Sequence, residues 1–193
     1  SAASDVYKRQ LKTQRLQGMS AMTRSIPSID FRLATSASEA ERQQFVREVG
    51  DALKDIGFFA LTHHGIPRSL IDETYAQCDA FFDLDEPTKR LYLQPGIGHQ
   101  RGYTAFGVEH AKDNPAPDLK EFWQTGRAYP EDGTTPTYPR NVWPTAHVEG
   151  FQSITEALFS GMESLAQHLL AACSEYLGKP RAWLPEMSNE GNT

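Results

Sequence analysis

The sequence is poor in cysteine and contains no long hydrophobic run. Its 193 residues include two cysteines, Cys78 and Cys173, too few for a disulfide scaffold or a cysteine zinc site. Both fall at apolar helix positions, so we expect buried free thiols, which favours a reducing, cytoplasmic setting. No apolar run approaches the ~20 residues that a membrane-spanning helix needs. The sequence therefore predicts no membrane partner.

Basic residues are in deficit outside the first 24 positions. Residues 1–24 carry five Lys or Arg and one Asp, whereas residues 25–193 carry 14 basic and 24 acidic residues, a net charge of −10. Nucleic-acid binding depends on Lys and Arg that neutralise phosphates. The acidic body therefore predicts no nucleic-acid partner.

Signature motifs of several enzyme classes are also missing. The chain contains no H-E-x-x-H, G-x-S-x-G, Walker A or G-x-G-x-x-G sequence. Nothing local therefore predicts a zinc protease, a hydrolase nucleophile elbow or a phosphate-binding loop.

The overall composition, with 39% apolar and 23% charged residues, is typical of a folded domain. We expect residues 25–187 to form one folded region and residues 188–193 to begin a further domain. Residues 1–24 are interpreted as a disordered or artefactual tail, because Asp5 to Gln10 resembles one reading frame of a sequencing adapter. A basic transit peptide is the alternative interpretation.

Hydrophobic spacing predicts an α+β fold. Ser38 and Glu41 form a capping box before the first helix, and Gly57 ends it. Ser69 and Asp72 are the predicted cap of a second helix. Further helices are predicted at 86–93 and 151–176, and strands at 26–31, 58–62 (buried) and 119–126. Two or three strands cannot make a stable sheet alone, so the sequence resembles the front half of an α+β protein.

Histidine and carboxylate residues give one weak metal pattern. His147 and Glu149 match two ligands of a 2-His-1-carboxylate iron site, with His168 as a third ligand. However, the pair stands where the long helix begins, and there Glu149 complements the helix dipole. We therefore favour a helix-start role over metal binding. His63 and His64 follow a strand directly, and we interpret them as part of a structural turn.

The segment Gln100-Arg-Gly-Tyr103 is the candidate substrate site. Arg101 and Tyr103 on one loop can hold a carboxylate by charge and by the phenol hydroxyl. The alternative is that Arg101 pairs with a nearby acid while Tyr103 packs in the interior.

Five motifs occur in a characteristic order. They are Ile26-Pro-Ser-Ile-Asp-Phe31, Ile56-Gly-Phe-Phe-Ala-Leu-Thr-His-His-Gly-Ile-Pro67, Phe81-Phe-Asp-Leu-Asp-Glu-Pro-Thr-Lys89, Gln100-Arg-Gly-Tyr103 and Pro117-Asp-Leu-Lys-Glu-Phe122. Together they resemble the N-terminal region of the isopenicillin N synthase-like, 2-oxoglutarate-dependent iron(II) dioxygenases. The resemblance covers about residues 26–187.

The resemblance implies a fold in which this region supplies the helices and outer strands of a distorted double-stranded β-helix, or jelly roll. It also implies that the iron ligands, a His-x-Asp pair and a distant His, lie beyond the long helix, as does the Arg-x-Ser pair that holds 2-oxoglutarate. This sequence has no Arg-x-Ser, so no catalytic or metal-binding residue is transferred to it. Gln100, Arg101 and Tyr103 match the place where relatives bring N-terminal residues toward the substrate.

For the whole protein, the resemblance implies oxidation of a small-molecule substrate with Fe(II), O2 and 2-oxoglutarate, by hydroxylation, desaturation or cyclisation. Some relatives use no 2-oxoglutarate. This chain by itself is expected to bind neither cofactor and to be inactive. A non-catalytic binding or scaffold module of the same shape is the alternative, and an unrelated metal enzyme is a third. The substrate and the oligomeric state stay open.

Overall fold

The computed structural model describes residues 25–110, 112–113, 115–128 and 138–188. The predictions for residues 1–24 and for 189–193 lie outside these ranges. The elements, in chain order, are β1 (Ser28–Asp30), a 3-10 turn (Phe31–Thr35), α1 (Glu39–Asp55), β2 (Ala60–Thr62), α2 (Arg68–Phe82), α3 (Glu86–Arg90), a 3-10 turn (Pro95–Ile97), β3 (Gly102–Thr104), β4 (Phe122–Gln124), α4 (Phe151–Tyr176) and α5 (Trp183–Ser188). No helix in the described ranges is long and apolar enough to cross a membrane.

The described strands form two separate two-stranded sheets. β1 and β2 pair in parallel, with Ile29 opposite Leu61, and α1 makes the crossover between them. β3 and β4 pair antiparallel, with Tyr103 opposite Trp123. The mixed helix and strand content agrees with the predicted α+β class.

The first core, which we call the aliphatic core, lies between β1, α1 and α4. Its buried members are Ile29, Ala34, Phe45, Val46, Val49, Ala52 and Ala172. Close contact of α1 with α4 depends on Gly50, because a Cβ there would lie 2.0 Å from Cδ2 of Tyr176. The Tyr176 hydroxyl then donates to Asp51 at 2.7 Å, on the outer side of the same contact.

The predicted start and end of α1 are confirmed. Ser38 is the N-cap, and its hydroxyl accepts a hydrogen bond from the Glu41 backbone N–H at 3.5 Å. The carboxylate of Glu41 accepts from the Ser36 hydroxyl instead of returning to Ser38, so half of the predicted capping box forms. Gly57 follows the helix at φ 95°, a left-handed conformation that favours glycine.

The predicted cap of the second helix is wrong. Ser69 lies inside α2, and Pro67 is the N-cap without a side-chain hydrogen bond. Proline has no N–H and a fixed φ, so it starts a helix before the serine is reached. Asp72 instead pairs with Arg68 at 2.8 Å, one turn apart.

The prediction that the second strand is buried is also wrong. β2 spans Ala60–Thr62, and Ala60 and Thr62 are exposed while Leu61 is half-buried. In a two-stranded sheet covered on one face, the alternating side chains of the other face meet solvent. β3 and α5 were not predicted, and three-residue strands give too short an alternation to recognise.

The second core, which we call the aromatic cluster, joins α2, both strands of the hairpin and α4. Its rings include Phe81, Tyr92, Tyr103, Trp123 and Phe151. The Phe81 and Trp123 ring centroids are 4.7 Å apart and nearly perpendicular, an edge-to-face packing. This cluster supports the face of the hairpin from which Tyr103 extends.

Candidate functional site

The predicted substrate segment lies at the start of β3. Gly102 adopts φ 77°, and a Cβ at this position would lie 2.5 Å from the Tyr92 carbonyl oxygen, so glycine is required twice over. The next residue, Tyr103, donates its backbone N–H to that same carbonyl at 3.1 Å. The strand is therefore held against the chain that follows α3.

Tyr103 is 1% exposed, and its hydroxyl donates to the Glu121 carboxylate. Lys89 binds that carboxylate as well, with Nζ 2.9 Å from Oε2 and 3.1 Å from Oε1. Burial, followed by the hydrogen bond to Glu121, raises the pKa of Tyr103 far above its usual range. The phenol therefore stays protonated and serves as a donor.

Arg101 is 6% exposed, and its Nη1 donates to the Gln100 carbonyl oxygen at 2.7 Å. Its guanidinium lies directly on Gly126, where a Cβ would be 2.1 Å from Nη2. Asn141 holds Gly126 in turn, because its amide accepts from the Gly126 N–H at 2.9 Å and donates to the Gly126 carbonyl at 2.7 Å. Sequence reasoning missed both Gly126 and Asn141, which lie far from Arg101 in the chain.

The three predicted residues thus meet different environments. Gln100 is exposed, whereas Arg101 and Tyr103 are buried at the base of the hairpin. The ring of Tyr103 packs in the interior, as one of the two sequence-based alternatives proposes. Its hydroxyl donates to the buried Glu121 carboxylate.

Buried polar atoms without a hydrogen-bond partner also lie in this hairpin. They include His99 Nδ1, Thr104 Oγ1, Trp123 Nε1 and Arg127 Nε among the described residues. Buried polar groups normally have partners, so such atoms often mark places where a ligand, water or another chain segment binds. Beside the end of β4, a cavity of about 210 Å³ lies between Thr125–Ala128 and α4, and the Arg127–Glu163 ion pair (2.5 Å) is part of its lining.

The residues of the alternative metal site do not fit a metal centre. His147 Nδ1 lies 2.6 Å from the Tyr92 hydroxyl, and His168 Nδ1 contacts the Ser164 carbonyl at 2.9 Å within α4. No group of three His, Cys, Asp or Glu residues in the described ranges is placed to hold a metal ion. His147 and Glu149 lie in the turn just before α4, so we derive no chemical step through iron at these residues.

A second feature is an apolar groove of about 390 Å³ between α2, α4 and the turn after β2. Its lining residues are Leu61, His64, Ile66, Ile71, Thr74, Tyr75, Cys78, Leu158, Met162 and Leu165. Tyr75 and Met162 are 68% and 57% exposed at this groove. Each belongs to a helix stripe that has no further described element to cover it.

Comparison with known proteins gives the family. The model of the non-haem dioxygenase N-terminal family, described from morphine synthesis, matches residues 26–146, and the chain belongs to this family. The 2-oxoglutarate-dependent dioxygenase eupC of Phoma sp is 32% identical over 82% of this chain and 53% of its own length. The dioxygenase frbA of Dothideomycetidae sp. (strain 11243) is 29% identical over 81% of this chain and 48% of its own.

Solved structures that resemble this chain agree with the family assignment. A 2OG-Fe(II) oxygenase family protein from Caulobacter crescentus is 30% identical, with a TM-score of 0.74 over 88% of this chain and 54% of that chain. A full-length Neurospora crassa protein in complex with alpha-KG shares the fold, with a TM-score of 0.65 at 24% identity. This chain thus spans about half the length of the relatives it matches.

Proposed function

We propose that this chain is the N-terminal portion of an oxidoreductase that uses Fe(II), O2 and 2-oxoglutarate to hydroxylate, desaturate or cyclise a small organic substrate. The observation that carries the proposal is the family match over residues 26–146, together with relatives named as 2-oxoglutarate-dependent dioxygenases. Bound Fe(II) and 2-oxoglutarate supply the oxidising chemistry, and their ligands lie in the half of such proteins that this chain does not span. We also propose a cytoplasmic location.

On this proposal, the hairpin of β3 and β4 faces the substrate. Gln100 offers an exposed amide and Arg101 offers a guanidinium just behind it, whereas the Tyr103 hydroxyl is bound to Glu121 and holds the strand. The amide and the guanidinium together favour a substrate with a carboxylate or another anionic, hydrogen-bonding group. The work of this chain is to bind and orient that group.

The same proposal explains the apolar groove between α2 and α4. The groove is about 390 Å³ and nearly all apolar, and on this proposal the part of the protein that this chain does not span covers it. We expect the isolated chain to bind a hydrophobic dye and to aggregate. A sharp two-state melt without dye binding would support the alternative, a non-catalytic binding or scaffold module that is complete in this form.

The decisive experiment starts from the source DNA. If the reading frame extends beyond Thr193 into strands with His-x-Asp, a distant His and Arg-x-Ser, the longer protein is expressed with Fe(II). Succinate formation from 2-oxoglutarate is then measured beside the 193-residue chain. The longer protein is expected to turn over 2-oxoglutarate and the 193-residue chain is not. A stop codon directly after Thr193 in a clean genome would contradict the proposal and leave the binding module as the better explanation.

A further inference from the structure

The ion pair between Lys89 and Glu121 is unusually well enclosed. Its side chains are 10% and 17% exposed, whereas those of the nearby Lys120–Glu109 pair are 52% and 44% exposed. An exposed pair contributes little to stability. A buried pair costs desolvation energy and persists only where its geometry satisfies both charges.

Both charges of the buried pair are fully engaged. Lys89 Nζ donates to both Glu121 oxygens and to the Phe82 carbonyl at 3.1 Å, which uses all three of its N–H groups. Glu121 also accepts from the Tyr103 hydroxyl. Four segments therefore meet at this ion pair: the end of α2 and α3 at the Lys89 ammonium, and β3 and the residue that precedes β4 at the Glu121 carboxylate.

The carboxylate and the backbone hold Tyr103 from two sides. The backbone N–H of Tyr103 is bound to Tyr92, and its hydroxyl is bound to Glu121. Arg101 lies just before β3, and only Gly102 separates it from Tyr103. A displacement of Tyr103 must therefore move the Arg101 backbone and lift the guanidinium from Gly126.

We propose that Glu121 is a positioning residue: held by Lys89, its carboxylate fixes β3 through Tyr103 and so sets the place of Arg101 and Gln100. Their role toward a substrate rests on the proposed function, but the placement itself does not. Glu121 acts through Tyr103 and need not contact the substrate.

The first test measures the accessibility of Arg101 in the longer protein or, if the reading frame ends at Thr193, in the 193-residue chain. The chain is labelled with phenylglyoxal in dilute solution and modification at each arginine is followed by mass spectrometry, with the 84%-exposed Arg68 side chain as the internal reference. In Glu121→Gln we expect Arg101 labelling to accelerate roughly tenfold relative to Arg68, as expected for loss of a hydrogen bond to a charged group. Glu109→Gln, which breaks the exposed pair of the same hairpin, is the matched control and should change nothing. Unchanged Arg101 labelling in a folded Glu121→Gln would overturn the proposal.

A second variant separates positioning from stability and applies even if Glu121→Gln fails to fold. Replacing a buried ion pair by apolar side chains of similar volume often leaves stability unchanged or higher. Lys89→Met/Glu121→Met leaves only the Tyr103 hydroxyl and the Phe82 carbonyl without their partners, so it is expected to stay folded, yet to leave Arg101 labelled fast. Wild-type protection of Arg101 in this double variant would reduce Glu121 to a structural role and overturn the proposal.

A third measurement uses the longer, active protein. Glu121→Gln should raise the KM of the organic substrate while 2-oxoglutarate turnover without substrate keeps its wild-type rate. If the longer protein turns over no 2-oxoglutarate at all, the proposed function fails. The labelling result still decides the role of Glu121, so the two failures are distinguishable.

Discussion

The two cores that the described residues form are built differently. The aliphatic core joins β1, α1 and α4 mainly through small and branched side chains around Phe45, and its polar contacts lie at the outer edge, as in Tyr176 with Asp51. The aromatic cluster joins α2, the β3–β4 hairpin and α4 through rings packed edge to face or tilted against one another. It also encloses the Lys89–Glu121 pair.

We interpret the aliphatic core as a scaffold and the aromatic cluster as the support of the candidate site. Helices with aliphatic stripes can be packed by volume alone, and such packing tolerates exchange of similar side chains. Rings and buried charges require particular orientations, so they place neighbouring groups more precisely. The candidate substrate residues lie at the second kind of core.

The largest effect is expected from Phe81→Ala, which tests whether the aromatic cluster depends on one ring. Phe81 is 0% exposed and contacts Tyr92, Tyr103, Trp123 and Phe151. Phe81→Ala should lower the free energy of unfolding by about 3–5 kcal/mol, through lost transfer energy and a cavity. Urea unfolding measures this change. Phe58→Ala, at a 57%-exposed ring, is the control, and an equal loss there would contradict the comparison.

In the aliphatic core, by contrast, we expect an added side-chain atom to destabilise the fold by overpacking. Gly50→Ala would place a Cβ 2.0 Å from the Tyr176 ring, so α1 and α4 must separate. We expect a loss of about 1–3 kcal/mol in thermal or urea unfolding. Gly161→Ala in α4 meets only Ile66 at 3.4 Å and should be neutral or stabilising. A Gly50→Ala variant as stable as Gly161→Ala would show that the close approach is not required.

The contact between Gly126 and Arg101 connects the aromatic side of the molecule with the candidate site. A Cβ at Gly126 would lie 2.1 Å from Arg101 Nη2, and the buried guanidinium has little room to move. Gly126→Ala should destabilise the chain by about 0.5–3 kcal/mol and expose Arg101 to phenylglyoxal. Gly96→Ala, where no atom lies within 4 Å, is the control. Unaltered Arg101 labelling in Gly126→Ala would show that the packing against Gly126 does not protect the guanidinium.

The helix caps give a smaller effect in the aliphatic half. Ser38→Ala removes the acceptor for the Glu41 backbone N–H and should cost about 1 kcal/mol. Ser69→Ala should cost little, because Ser69 lies inside α2 and does not cap it. Chemical denaturation of the two variants compares them directly. Equal losses of unfolding free energy in the two variants would show that Ser69 does cap α2, as the sequence pattern predicts.

The smallest expected effect is a pH dependence at the end of β1. The hydrogen bond from Arg32 is the main cause that lowers the pKa of Asp30 from 3.8 to about 2. A lowered folded-state pKa means that this contribution is fully present above pH 4 and is lost as the pH falls toward 2. Melting temperatures between pH 5 and pH 2 should decline less in Asp30→Asn than in wild type. Parallel declines would show that the Arg32 contact does not contribute.

Sequence by itself determined the longer helices and the family. The apolar stripe from Phe151 to Tyr176 predicted α4 to its last residue, and Ser38 and Gly57 marked the ends of α1, because periodicity and capping are local properties of the chain. The five ordered motifs identified the family that the comparisons then showed.

Only the tertiary structure decided which polar groups meet. Lys89 and Glu121 are 32 residues apart, and Arg101 and Gly126 are joined across a hairpin that the sequence pattern only half predicted. The spacing of Gln100, Arg101 and Tyr103 predicted a shared site, but left open which of them would be exposed. Burial depends on packing between distant elements, whereas helix propensity and capping act over a single turn. The positions of the charges are therefore set by the fold and not by the local pattern.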